Sequence, residues 1–240
     1  MKIPPRSLAW LLFGLLLPAF AIADDQSANK LTDAEEKAGW KLLFDGETTK
    51  GWRNFKKDAI NPGWKVVDGT LTRAAGGAGD IITTDKYDAF ELSIDYKISK
   101  GGNSGIMYHV TEEANTPWMT GPEIQIQDNK DGHDPQLAGW LYQLYKPEND
   151  PKTGKPVDAT KPAGEWNRLV ILITPEKCTH TMNGVKYVEY VKGSKDWDER
   201  VAKSKFAQMP HFGKPTDGYL SLQDHGNEVA YRNIKIREVK

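Results

Sequence analysis

Residues 90–98 read FELSIDYKI, with Phe90, Leu92, Ile94, Tyr96 and Ile98 alternating with Glu91, Ser93, Asp95 and Lys97. Successive side chains of a strand point to opposite faces, so a period of two over nine residues describes a half-buried β-strand. The same reading extends outward in both directions. WNRLVILIT (166–174) is more apolar, with Asn167, Leu169, Ile171 and Ile173 sharing a face. WKVVDGTLTR (64–73) sets Asp68-Gly69 between two β-prone runs, and CTHTMNGVKYVEYV (178–191) does the same with Asn183-Gly184. Both dipeptides accept the positive φ that a tight hairpin needs. GYLSLQDHG (218–226) and AYRNIKIREV (230–239) add two more strands.

Helical periodicity is scarce; SKDWDERVAKSKF (194–206) is the exception and predicts about two turns over Lys195–Lys203. Segments 129–165 and 192–217 read as long loops, which in a compact domain tend to carry function. The pattern predicts one all-β domain, a jelly-roll β-sandwich of two antiparallel sheets with long loops and one short helix.

The first 23 residues have Lys2 and Arg6, an apolar stretch from Leu8 to Phe20, and Ala21-Ile22-Ala23. That is the build of a secretory signal peptide cleaved after Ala23, and it predicts a periplasmic or secreted protein with no membrane span after cleavage. Residues 24–38 are polar and read as a tether with a helical turn, followed by the sandwich over 39–240. The chain holds 32 Lys and Arg against 33 Asp and Glu, and loss of the leader leaves a net charge of about −3. That near-neutral balance, with no block of like charge, argues against nucleic acid or an anionic membrane as partner. Lone Cys178 forms no internal disulfide, so stability must come from the core. Eight Trp and nine Tyr suit either an aromatic core or a sugar-stacking surface.

Three strands gather polar side chains on one parity. In GPEIQIQDNKDGH (121–133), Glu123, Gln125 and Gln127 alternate with Ile124 and Ile126. In NSGIMYHV (103–110), Asn103, Met107 and His109 share a face; in GYLSLQDHG, Tyr219, Ser221, Gln223 and His225 do. Amides, imidazoles and hydroxyls both donate and accept, which suits sugar hydroxyls better than bulk solvent requires. The three sets predict one shared concave ligand face. Asp128 and His133 stand close together in a loop, where a carboxylate and an imidazole serve as acid and base or hold a divalent metal ion. The competing reading of Asp128 is a cap on the strand end.

The ordered blocks LFDGETTKGW (43–52), WKVVDGTL (64–71), GGNSGIMYH (101–109), PEIQIQDNKDGHD (122–134), LYQLY (141–145), GEWN (164–167), GYLSLQDHG and YRNIKIREV (231–239) resemble the 3-keto-disaccharide hydrolase domain family. The resemblance spans about residues 39–239 and implies a concanavalin A-like sandwich. His109 falls where many members carry an arginine. The implied activity is cleavage of glycosides first oxidised at sugar carbon 3 by a separate oxidoreductase. A ketone there acidifies the carbon 2 proton, and its removal lets the carbon 1 substituent leave by β-elimination. On this reading Glu123 or His133 is the general base, and Asp128 orients the histidine or helps hold a cation. Gln125, Gln223 and His225 bind the ketone and adjacent hydroxyls, Asn103 and His109 extend the polar wall, and Tyr142 and Trp166 are sugar-stacking rings. Trp166 borders a core strand, so packing competes with stacking. The alternatives are a non-catalytic carbohydrate-binding module, and a dehydratase or epimerase of keto-sugars.

Overall fold

A computed structural model describes residues 28–239; the leader expected over residues 1–23 lies outside them. The chain opens with helix α1 (Asp33–Lys37), then runs β1 (Lys41–Leu42), β2 (Trp52–Asn54), β3 (Trp64–Val67), β4 (Thr70–Arg73), β5 (Ile81–Thr83), β6 (Phe90–Ile98), β7 (Asn103–Val110) and β8 (Glu123–Gln127). It continues with β9 (Asn167–Ile173), β10 (Cys178–Met182), β11 (Val185–Tyr190), α2 (Lys195–Ala202), β12 (Tyr219–Leu222) and β13 (Val229–Glu238). These strands form the expected jelly-roll sandwich of two antiparallel sheets. One has eight strands, ordered β11-β10-β9-β6-β13-β4-β3 with β1 against β13; the other has five, ordered β2-β5-β12-β7-β8.

The hairpin dipeptides do what their chemistry allows. Asp68 and Gly69 take φ of 47° and 71° between β3 and β4, and Asn183 and Gly184 take 49° and 85° between β10 and β11. The alternating FELSIDYKI stretch is β6, paired with β13 on one side and β9 on the other. Its apolar set, with Ile106, Tyr108, Ile124, Ile126, Leu220 and Leu222 from the smaller sheet, fills the core between the sheets. Within the N-terminal polar stretch, Thr32 and Glu35 form the capping box of α1. Asn29 is buried: its N–H donates to Asn233 Oδ1 at 2.7 Å, and its Oδ1 accepts the Asn233 N–H at 2.9 Å. The helix expected near 195–203 forms as α2, with Ser194 capping it.

Strand alternation has a second consequence. If Ile124, Ile126 and Leu222 face the core, then Glu123, Gln125, Met107 and Ser221 face away from it. That outer face carries its own small apolar cluster of Ile82, Met107 and Val110, covered by Phe55, Trp118 and Tyr219. Loops that protect these apolar residues also build walls around the polar ones. Among the described residues, no helix is long and apolar enough to cross a membrane.

Candidate active site

Register on the five-stranded sheet creates a row across four strands. Ile81 pairs with Leu222, Leu222 with Ile106, and Ile106 with Ile124. One step along each antiparallel strand brings Asp80, Gln223, Gly105 and Gln125 side by side. The Gln223 N–H donates to Gly105 O at 2.9 Å, and Gly105 is the direct partner of Gln125. Gly105 is the one gap in this row, and the carboxyl of Glu123 leans into it. The row floors a cleft of about 320 Å³.

The walls come from loops. Backbone of residues 139–142 pairs irregularly with β8: Gln125 N–H reaches Trp140 O at 3.0 Å and Tyr142 N–H reaches Glu123 O at 2.9 Å. This places Tyr142 beside Glu123, with its hydroxyl donating to Asp134 Oδ2 at 2.8 Å. A short 3-10 turn, Lys205–Gln208, is tied to the same loop by the Lys205 N–H, which donates to Gln143 Oε1 at 3.0 Å. The Lys205 ammonium then lies 4.2 Å from the Tyr142 ring centre and 5.1 Å from that of Trp118. Cations are attracted to aromatic faces at this range, which fixes a positive charge over the cleft.

Glu123 is only 5% exposed. Burial pushes its carboxyl up to about 7; the carboxylates of Asp80 and Asp134 act in the same direction, against the Lys205 ammonium and hydrogen bonding by the Gln223 amide. Asp80, half-buried, is pushed up to about 6 by burial and by Asp224, against the Asp224 N–H it accepts at 2.8 Å and the charge of His225. Asp224 is itself ion-paired with Arg73 Nε at 2.6 Å and accepts the Gly79 N–H at 2.7 Å. Two buried amide oxygens, Gln125 Oε1 and Gln223 Oε1, accept no hydrogen bond among the described residues. A buried acceptor left unmet costs about 1–3 kcal/mol, so such atoms suit a ligand that brings its own donors.

Six of the side chains expected to form a site therefore line one cleft: Asn103, Glu123, Gln125, Tyr142, Gln223 and His225. Gln125 Nε2 donates to Asn103 Oδ1 at 3.3 Å, and exposed His225 stands at the rim. Gln127, on the same parity, instead braces the loop wall by donating to Asp134 O and Gln136 O.

Four expected side chains lie elsewhere. Asp128 caps the end of β8: Oδ2 accepts the Gly101 N–H at 2.9 Å and Oδ1 the Lys130 N–H at 3.1 Å. Although burial works against it, these bonds hold its carboxyl below the usual range. His133 is exposed and does not line the cleft. Asp128 is thus engaged with backbone N–H groups, while His133 stands on the surface. Among the described residues no three His, Cys, Asp or Glu side chains are grouped to hold a metal.

His109 was expected to follow the parity of Met107, but the ladder with β12 shifts register there: Val110 pairs with Tyr219 and Met107 with Ser221. His109 absorbs the extra residue at φ 52°. Its ring turns to the end of the sandwich, with Nε2 bonded to Asp88 O at 2.7 Å and Nδ1 accepting from Lys192 Nζ at 2.8 Å. Trp166 lies in a groove on the eight-stranded sheet, beneath Arg232 at 4.2 Å and Lys97 at 5.0 Å. That groove is larger, about 850 Å³, but its carboxylates, Asp45, Glu47, Asp68 and Glu228, are all exposed.

Asp80, Trp118, Asp134, Lys205 and Asp224 also line the cleft, and sequence reading did not single them out. Asp134 and Lys205 fall in the two long loops, which was the available signal. Asp224 sits between Gln223 and His225 but beyond the end of β12, where strand parity no longer governs direction.

The chain belongs to the 3-keto-alpha-glucoside-1,2-lyase-like domain family, whose pattern matches residues 39–237. This places it among the carbohydrate-active enzymes. A protein of Bacteroides thetaiotaomicron named 3-keto-disaccharide hydrolase is 31% identical over 227 residues, covering 83% of this chain and 78% of its own length. A crystal structure of a protein from Parabacteroides distasonis, provisionally described as a glycosyl hydrolase, is 34% identical with a TM-score of 0.80, covering 89% of this chain and 100% of its own. A second from that organism, described in the same way, is 26% identical with a TM-score of 0.58, covering 83% and 99%.

Proposed function

We propose that this protein cleaves glycosides carrying a ketone at sugar carbon 3, with Glu123 as the general base. The observation that carries the proposal is the Glu123 carboxyl, 5% exposed, set among amides at the floor of a cleft and raised to about 7. A general base works best when its pKa lies near the operating pH. Burying a carboxyl costs free energy whether or not the group does chemistry, and a module that only bound sugar would gain nothing to offset that cost.

The proton next to a ketone is acidic enough for a carboxylate to remove. Glu123 takes it from carbon 2, and negative charge spreads onto the oxygen at carbon 3. The Lys205 ammonium offers a fixed positive charge for that oxygen, and the side-chain amides of Gln125 and Gln223 offer donors and acceptors to the ring hydroxyls. Trp118 and Tyr142 supply apolar faces for the ring. The bond from carbon 1 to the aglycone oxygen then breaks, and water adds to carbon 1 to complete hydrolysis. A glycosidase acting on an unoxidised sugar uses two carboxyl groups about an oxocarbenium-like centre and needs no acidic carbon 2 proton. The substrate must be supplied by an oxidoreductase acting at carbon 3, and the leader-like N-terminus is consistent with a reaction outside the cytoplasm.

The test is to incubate the protein with a chromogenic 3-keto-glucoside and with its unoxidised parent. Release from the keto form alone supports the proposal. Equal release from both points to an ordinary glycosidase, and binding without release points to a lectin; either result overturns it.

A further inference from the structure

The reaction just proposed needs a proton donor for the departing aglycone oxygen, and building on that reading, we infer that Asp80 is this second catalytic group. Asp80 stands at one end of the cross-strand row and Gln125 at the other, with β12 and β7 between. Strands lie about 4.8 Å apart, so the backbones bearing Asp80 and Gln125 are separated by roughly 14 Å, and Glu123 stands two residues further along β8. Glu123 leans over Gly105 on β7, which brings its carboxyl about one strand closer. The gap that remains runs over Gln223, and a sugar ring lying there has carbon 2 towards Glu123 and the carbon 1 substituent towards Asp80.

The charged neighbours of the two carboxyl groups differ. Burial and the Asp80 and Asp134 carboxylates favour the protonated form of Glu123, but it also faces the Lys205 ammonium and the Gln223 amide, both of which favour its anion. Asp80 abuts the Asp224 carboxylate, which Arg73 and two backbone N–H groups hold in place. A fixed negative neighbour favours the protonated form of Asp80. Oδ1 of Asp80 accepts the Asp224 N–H, whereas Oδ2 accepts no hydrogen bond from the described residues, so one edge of the carboxyl is committed and the other is available.

The proton count closes over a full cycle. Glu123 removes the carbon 2 proton, the freed electron pair forms the carbon 1–carbon 2 double bond, the carbon 1–oxygen bond breaks, and Asp80 gives its proton to the departing oxygen. Water replacing the alcohol then adds to carbon 1 and yields a proton to Asp80, while Glu123 returns its proton to carbon 2. One water is consumed, and both carboxyl groups end as they began.

The test compares wild type, Asp80→Asn and Glu123→Gln on 3-keto-glucosides with a methyl and with a 4-nitrophenyl aglycone. It also follows carbon 2 hydrogen exchange in D2O using a 3-keto sugar that lacks a leaving group. Methyl alcohol needs a proton to leave and nitrophenolate does not. Asp80→Asn should lose at least about a hundredfold on the methyl glycoside, stay within about tenfold on the nitrophenyl one, and keep exchange, which also shows that it folds. Asp80→Ala should regain methyl-glycoside turnover when formic acid is added. Glu123→Gln should lose exchange and both cleavages. Equal losses by Asp80→Asn on both aglycones, or loss of exchange without rescue by formic acid, overturn the assignment while leaving the proposed reaction standing. Wild type inert towards every 3-keto substrate overturns both.

Discussion

Gly105 makes room for Glu123. A Cβ on Gly105 would stand 2.9 Å from the Glu123 Cδ and Cγ, and closer still to Oε1. The missing side chain lets a residue of β8 project its carboxyl across β7 into the middle of the cleft. Gly105 is not among the positive-φ residues, so it is needed for space and not for backbone conformation.

Gly105→Ala should therefore push the Glu123 carboxyl aside. Overpacking of this kind costs about 1–3 kcal/mol, and turnover of a 3-keto-glucoside should fall at least about tenfold. Thermal melting and steady-state kinetics read the two effects separately. Wild-type turnover would mean that the carboxyl does not need this position.

Glu123→Gln should lower turnover at least about a hundredfold and change how stability depends on pH. The folded carboxyl titrates at about 7 against 4.5 for the free group. Between those values the folded chain holds a proton that the unfolded chain has released, so stability falls as pH rises through this window and levels off above about 7. The penalty at neutral pH is on the order of 3 kcal/mol. Denaturant unfolding from pH 4.5 to 8 should show that slope in wild type and a flatter profile in the variant; parallel profiles would contradict the burial argument.

The pH profile of kcat/KM should be bell-shaped, with its maximum between about 6 and 7. Glu123 at about 7 and Asp80 at about 6 share one proton there; it rests mostly on Glu123, so the form with Glu123 as base and Asp80 as acid is the minor tautomer, roughly a tenth of the singly protonated enzyme. Lys205→Met removes the ammonium that holds the Glu123 value down. The alkaline limb should move to higher pH, with turnover at pH 6 reduced on the order of tenfold as the active tautomer becomes rarer. An unmoved limb would remove Lys205 from the electrostatics of the base.

Asp128→Ala should destabilise the fold by about 1–3 kcal/mol, because the Gly101 and Lys130 N–H groups lose their acceptor. The shape of the pH–rate profile should not change. Exposed His133→Ala should leave both melting and turnover near wild type. A loss above about tenfold in His133→Ala would restore that histidine to the mechanism.

Trp166→Ala should leave KM for a 3-keto-glucoside within about twofold while lowering stability, since stacking under cations is worth about 0.5–2 kcal/mol. A large rise in KM would contradict its placement on the eight-stranded sheet, away from the cleft.

Much of the cleft floor was readable in advance. Glu123 and Gln125 alternate with isoleucines, so the face they share follows from backbone geometry once β8 is a strand. Gln223 follows in the same way, one residue past β12. The reading failed where alternation fails. At His109 a bulge at φ 52° breaks the parity, and no local pattern in NSGIMYHV announces it. Trp166 has the composition of a sugar platform but lies beside Lys97 and Arg232, residues 69 and 66 positions away in the chain.

The sequence by itself determined the strands, the two Asp-Gly and Asn-Gly hairpins, the division of each strand into an apolar and a polar face, and the family. Those properties depend on neighbours within a few residues. Only the tertiary structure decided that Asp80, Glu123 and Lys205 share a cleft and that Asp128 and His133 stand apart from it. Cross-strand register and loop closure bring together groups far apart in the chain, and the burial that moves a carboxyl towards neutrality exists only once they meet.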